Sequence, residues 1–454
     1  MMLGRTSELK KLNEYYDQKG NRIVVAYGQK NIGKTHILRR FISDKSYYYY
    51  MARSASEREQ LYQWGRELKE MGLPMAEYPS FTEILQALAS GRKSKFVLII
   101  DEFHHIVKSS SIFMKELIAF IHNALSELQI MVVLTSSSIG WIENSMADKI
   151  GDAADALAGL LKIKELSFDA LVENYQGFRV EECIEAYAIL GGTPGLWQHF
   201  DDKITIKENI CKNILSKNSY LYGEGDRLVA GELRETAVYS TILAALAGGK
   251  RKLNDLYLHT GFSRAKISVY LKNLIELELV EKIYSYDTDG KEYMQKSIYR
   301  IRNHFVNFYF TYLYPNLTQL EKVLPQEFYQ QYIRPTFKQY VAEYYKDVCT
   351  QHFEQMNKHG RLPILYEKKG EWVGQTGSID IVAQDQAGNT LIGACNWGKS
   401  MMTYQDYENL LYCAKTAGIR PNYVYLYSIG RFDEKLNLEA KVKQHLKLIS
   451  VDNF

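Results

Sequence analysis

Residues 23 to 40 read IVVAYGQKNIGKTHILRR, an order that leaves the backbone little choice. Ile23 to Tyr27 are apolar and predict a buried strand, Gly28 to Thr35 follow the pattern GxxxxGK[ST], and a helix is expected to begin near Lys34. A loop this short must wrap its backbone N–H groups around a phosphate, with glycine where a side chain would collide. Gly28, Gln29, Lys30, Asn31, Ile32, Gly33, Lys34, Thr35 and His36 are therefore the candidate nucleotide-binding set. In such a loop the lysine reaches the β- and γ-phosphates and the Thr35 hydroxyl is the candidate Mg²⁺ ligand.

A phosphate loop needs a second strand that ends in acid. KFVLIIDEFHHI supplies it: Phe96 to Ile100 form an unbroken apolar run, as in a central parallel strand covered on both faces, and Asp101 and Glu102 follow. Asp101 is expected to hold Mg²⁺ through water, and Glu102 to polarise the attacking water. QIMVVLTSSSIGWIE gives a further strand whose tip offers a hydroxyl to the γ-phosphate or the water. Thr135 and Ser136 both suit that role, and Ser136 joins Lys34, Asp101 and Glu102 in the candidate catalytic set. The run Tyr47 to Tyr50 reads as one more strand, with alternate rings on opposite faces. His104 and His105 are adjacent, without a third ligand at motif spacing, which argues against zinc.

Composition bounds the rest. The 454 residues, 46% hydrophobic and 24% charged, suffice for two to four domains, and a net charge of +3 is too small for wholesale nucleic-acid or membrane binding. Five cysteines without a CxxC pair suggest neither a disulfide framework nor a zinc site. No leader-like segment and no run of about eighteen apolar residues is present, so a cytoplasmic protein is expected.

GRTSELKKL at the start, YGQKNIGKT, DEF, LTSSS and GGTPGLW at 191 to 197 occur in the order of a known group. The chain resembles the archaeal-type P-loop ATPases of the AAA+/STAND kind. The resemblance implies an α/β fold: a P-loop domain over 1–164, a helical lid over 165–228, a winged helix-turn-helix over 229–312, and an α/β restriction-endonuclease-like domain of unknown function over 313–454. It implies ATP and Mg²⁺ as ligands, Arg5 near the adenine, and Pro194 in the lid. Relatives commonly carry an arginine after the glycine in the segment matching ALAGLLKIKELSF, where this chain has Leu160 after Gly159. If that arginine neutralises the γ-phosphate, hydrolysis here is slow or a partner supplies the cation.

From about residue 233 the chain reads as three helices and a hairpin, with Ile267, Leu271 and Leu274 on one buried face, a turn at Gly261, and a wing around Asp287, Thr288, Asp289 and Gly290. Arg264 and Lys266 open the candidate recognition helix, so duplex DNA is a candidate partner, with a docked protein as the alternative. The aromatic segment YRIRNHFVNFYFTYLYPN reads as core.

A restriction-endonuclease-like site needs an acid on one strand and an acid and a lysine two apart on the next. SIDIVAQDQAGNTLIGACNWGK supplies Asp380 on the first strand, with Glu343 as a candidate helix acid. The expected acid-x-Lys falls on Ala394-Cys395-Asn396, Cys395 is expected to point to the opposite face, and the domain is expected to be inactive. Lys399 and Asp385 are the residues that could migrate into the site. The combined expectation is an ATP-binding switch with ATPase activity. A nuclease with relocated residues and a nucleotide-holding scaffold for a protein partner are the alternatives.

Overall fold

The computed structural model describes residues 4–92, 94–123, 129–231, 233, 235–286, 297–374 and 377–451. It divides into two compact units: one runs up to Glu165 and takes in Thr193–Gly195, and the other comprises Leu166–Gly192 and the chain from Leu196 onward.

The first unit is built on five parallel strands, β1 (Arg22–Tyr27), β2 (Tyr47–Met51), β3 (Phe96–Asp101), β4 (Ile130–Ser136) and β5 (Leu157–Lys162), in the order β2-β3-β4-β1-β5. Strand alternation sorts the side chains. Val97, Ile99, Met131 and Val133 face the helices α1 (Thr6–Asp17) and α2 (Lys34–Phe41), while Phe96, Leu98, Ile100, Val132 and Leu134 pack with Trp64, Phe81 and Phe113. The tyrosine run divides as its alternation predicts. Tyr50 stacks on Trp64 with ring centroids 4.1 Å apart, and Tyr49 packs on the α2 side. The sheet order places β4 between the phosphate-loop strand and the acidic strand, so the C-terminal ends of β1, β4 and β3 stand side by side.

The second unit begins with helices that include Phe168–Asn174 and Val180–Leu190. The helices Thr236–Ala247, Leu253–Thr260 and Arg264–Glu276 and the antiparallel hairpin β6 (Val280–Tyr284) with β7 (Ser297–Ile301) then form a winged helix. Gly261 ends the second helix at φ 71°, a left-handed cap that suits glycine, and Ser263 caps the third by accepting the Lys266 N–H. Ile267, Leu271 and Leu274 are buried as their spacing requires. The expected wing residues Asp287, Thr288, Asp289 and Gly290 lie outside the described residues.

The aromatic segment enters the core: Phe305, Phe308, Tyr309, Phe310 and Tyr312 are buried, and Phe308 meets Tyr340 of the long helix Arg334–Lys358 edge-on. Beyond that helix, β8 (Lys368–Gly374), β9 (Gly377–Gln384), β10 (Thr390–Asn396), β12 (Tyr423–Ser428) and β14 (Leu446–Ser450) make a mixed sheet in the order β14-β12-β10-β9-β8. The short strands β11 (Met401–Met402) and β13 (Arg431–Phe432), which follow β10 and β12 in the chain, pair in parallel with each other. One face of the mixed sheet packs on the Arg334–Lys358 helix, the other on the helices Tyr404–Thr416 and Glu434–Val442. Among the described residues, no helix is long and apolar enough to cross a membrane.

Candidate active site

The loop after β1 is shaped by close approach. A Cβ on Gly28 would lie 2.4 Å from the Ile163 carbonyl oxygen, so only glycine fits there. Asn31 and Gly33 both take positive φ, 66° and 96°, which turns the loop toward the N-terminus of α2. Lys34 is buried, and its Nζ folds back to donate to the Gly28 carbonyl at 2.8 Å and the Gln29 carbonyl at 3.1 Å. Its ammonium therefore spans the loop. Ile32 is buried and fixed by the loop, Gln29 and Thr35 are half-buried, and Lys30 and His36 are exposed.

Two further pieces brace this loop. Arg5 is 3% exposed and donates to the Ile32 carbonyl at 2.8 Å, the Lys164 carbonyl at 2.7 Å and Glu8 Oε1 at 2.8 Å. Its guanidinium thus ties α1 and the chain after β5 to the phosphate loop. The Thr193-Pro194-Gly195 turn belongs to the same compact unit, and the Gly195 N–H donates to the Asn31 carbonyl at 2.9 Å. Leu160, where the resemblance implies an arginine, is exposed on β5.

At the end of β3, Asp101 and Glu102 are handled on opposite sides of the sheet. Asp101 is 5% exposed, with one carboxylate oxygen accepting from the Thr135 hydroxyl and the other from the Tyr49 hydroxyl. Glu102 sits at φ 54°, a left-handed conformation uncommon for a side chain of its size. Its Oε2 accepts from the Ser137 N–H at 2.8 Å and the Ser137 hydroxyl at 3.0 Å, and lies 3.3 Å from His104 Nδ1. Burial alone would raise the Glu102 carboxyl, but His104, the Lys34 charge and the Ser137 amide more than offset it and lower the pKa to about 2. Ser136 is buried, with its Oγ 3.0 Å from His104 Nδ1, so of the two hydroxyls it is Thr135 that meets Asp101. Burial and the neighbouring His104 bring His105 down to about 4, which keeps that ring neutral near pH 7.

The arrangement offers a buried lysine on a phosphate-wrapping loop, a hydroxyl-held carboxylate on the next strand but one, and a second, ionised carboxylate beside it. Thr35 and Asp101 present only oxygen donors, which fits Mg²⁺ and its preference for a few carboxylates plus phosphate oxygens. Residues 2–200 match the family described as an ATPase domain predominantly from Archaea.

The chain carries an archaeal-type ATPase domain.

Beyond that ATPase domain, residues 240–282 match bacterial regulatory proteins of the arsR family, and residues 309–409 match the family described as Archaea bacterial proteins of unknown function. Over its full length the chain is similar to an uncharacterized protein of Methanocaldococcus jannaschii, 27% identical over 461 residues with 100% of each chain covered. It is similar to the solved Walker-type ATPase of Pyrococcus abyssi, at 18% identity over 67% of this chain and 95% of that one, with a TM-score of 0.48. The ORC2 protein of Aeropyrum pernix, solved in ADPNP-ADP complexes, matches at 14% identity over 70% and 94% of the two chains, with a TM-score of 0.49.

The second unit holds the other candidates. On the Arg264–Glu276 helix, Arg264 and Lys266 are exposed. Arg264 stacks 4.2 Å over the Tyr257 ring and Lys266 lies 5.0 Å over Phe262. In the mixed sheet, Asp380 Oδ1 is 2.8 Å from Lys346 Nζ of the long helix, and Oδ2 accepts from the Cys395 N–H at 2.8 Å. The expected placement of Cys395 is corrected here. β9 has two residues, Asp380 and Ile381, where β8 has one, Glu371, and this bulge shifts the alternation. Ile379 and Ile381 therefore enter opposite cores, Cys395 packs on the long-helix side with Asp380, and Ala394 packs on the other. Asn396 ties down the following turn through Lys399. The residues considered for migration are engaged elsewhere: Lys399 with Asp406 at 2.6 Å, Asp385 with Asn389 in the hairpin turn. Glu343 is half-exposed and 3.4 Å from Arg251.

Proposed function

We propose that the ATPase domain binds ATP with Mg²⁺, hydrolyses it slowly, and serves as a nucleotide-driven switch in a chain that also contacts duplex DNA. The observation that carries this reading is that Lys34 of the loop after β1 acts electrostatically on Glu102 at the end of β3, next to the buried Asp101, with β4 between the two strands. Lys34 would exchange its loop carbonyls for phosphate oxygens, and the loop N–H groups would hold the β-phosphate. Bound Mg²⁺ would add positive charge to the phosphates, with Thr35 and Asp101 as the residues that hold it. Glu102, ionised at neutral pH, is the base for the attacking water, and Thr135 or Ser136 would report on the γ-phosphate.

Leu160 supports a slow rate, because a leucine brings no charge to a transferring phosphoryl group. The match to arsR-family regulators and the exposed Arg264 and Lys266 support DNA contact, mainly through phosphates. In the C-terminal domain Lys346 stands by the strand acid Asp380, but β10 carries Ala394 and Cys395 where the second acid of a nuclease is expected. That supports a nuclease-like fold retained without cleavage.

The test is phosphate release from Mg-ATP by wild type, Lys34→Ala and Glu102→Gln, each with and without duplex DNA. Release that is lost in both variants and rises with DNA supports the switch. Equal release in all three proteins overturns the site. Binding of ATP without release would replace hydrolysis with a nucleotide-holding scaffold, and release indifferent to DNA would favour a protein partner.

A further inference from the structure

Three neighbouring strands each send one polar side chain to the same spot. Tyr49 of β2, Asp101 of β3 and Thr135 of β4 share the sheet face that packs on α1 and α2, because they continue the alternation of Val97 and Ile99 on β3 and of Met131 and Val133 on β4. Tyr49 is level with Ile99, two residues short of Asp101. Two strand residues span about 6.6 Å, and a tyrosine is long enough to carry its hydroxyl that far. The phenol donates to Asp101 Oδ2, and the Thr135 hydroxyl donates to Oδ1 from the other side. Oδ1 also receives the Glu102 N–H at 3.1 Å.

We infer that Tyr49 is a positioning residue for the magnesium-holding acid: with Thr135 it clamps the Asp101 carboxylate in one orientation. The inference rests on the nucleotide site described above and adds to it a residue 52 positions away in sequence from the acid it serves. An ionised carboxylate has about four acceptor positions, so the two hydroxyls and the Glu102 N–H leave one, on Oδ2, for metal-bound water. They fix where that lone pair points. Phenylalanine would keep the ring in place between the sheet and α2 and remove only the donor.

The test separates metal-dependent from metal-independent nucleotide affinity in the full chain. Binding of ADPNP, which is not turned over, is measured by calorimetry in EDTA and in MgCl₂ for wild type, Tyr49→Phe, Thr135→Val and Asp101→Asn. Tyr49→Phe is expected to match wild type in EDTA and to lose about tenfold of the affinity gained with magnesium, as outer-shell partners of metal ligands do. Thr135→Val should lose a similar share, and Asp101→Asn nearly all of it. An unchanged magnesium gain in Tyr49→Phe overturns the inference. So does an equal loss in both buffers, which would mark the tyrosine as packing alone. A wild type that binds no ADPNP in either buffer overturns the nucleotide reading as well, whereas a wild type with a normal magnesium gain and an unaffected Tyr49→Phe overturns the clamp alone.

Discussion

Lys346 Nζ lies 2.8 Å from Asp380 Oδ1, so the acid that a nuclease would give to a metal is held by a cation of the same chain. Burial works against the Lys346 charge, but Asp380 and then Glu343 raise its pKa above the usual lysine value. The lysine thus carries its charge across the physiological range. We expect no cleavage of supercoiled plasmid with Mg²⁺ or Mn²⁺, read on agarose after prolonged incubation. Lys346→Met should cost about 2 kcal/mol of stability in urea unfolding, because it strands a partly buried carboxylate.

Glu102→Gln keeps an oxygen that can accept the Ser137 N–H, so the β3 end should hold its shape. The variant loses the negative charge needed to draw a proton from water. Turnover should fall by about 10² to 10⁴, the usual contribution of a general base, while ATP affinity stays within about threefold. Single-turnover phosphate release and equilibrium binding measure the two quantities separately.

What the sequence shows well is what the chain encodes locally. The GxxxxGK[ST] loop, the acidic end of β3 and the buried face of the Arg264–Glu276 helix each lie within a few residues, so spacing alone predicts them. Tyr49 was legible as strand and not as a partner of Asp101, because that contact depends on β2 lying next to β3 and on the reach of a ring across two residues. Cys395 was misplaced for a related reason. Period-two alternation assumes an unbroken ladder, and the extra residue at Asp380 and Ile381 breaks it. Lys346 comes from a helix 34 positions before Asp380, and no short motif joins the two.

Gly195→Ala should damage the ATPase domain. The added Cβ would lie 2.7 Å from Asn31 Cβ and 2.8 Å from its carbonyl oxygen, and backbone cannot swing aside as a side chain can. The loop would have to shift, at a cost of about 1–3 kcal/mol in stability. ATP binding should weaken in a direct titration, and circular dichroism should show the secondary structure otherwise retained.

Arg264→Ala and Lys266→Ala test the winged helix. If each cation meets a phosphate, each variant should weaken duplex binding for all sequences alike and reduce the slope of log K against log salt by about 1. Fluorescence anisotropy at several salt concentrations reads that slope. Affinity and slope unchanged in the double variant would move the DNA contact off this helix.

His304 gives the second unit a defined pH dependence. The ring is buried, its Nδ1 2.7 Å from the Tyr187 carbonyl and its Nε2 3.8 Å from Asp347. Burial lowers its pKa from 6.5 to about 4; the Tyr187 carbonyl and Glu281 oppose the shift, and Arg300 and Arg302 add to it. Between these values the unfolded chain binds the proton and the folded one does not, so stability rises with pH across the window. The His304 contribution is therefore complete above pH 6.5 and is lost as pH falls toward 4. Thermal midpoints of wild type should drop over that interval. In His304→Asn, whose amide can still donate to Tyr187, the drop should be smaller. Equal slopes for the two proteins would assign the acid sensitivity to other groups, among them His105, which titrates in the same range.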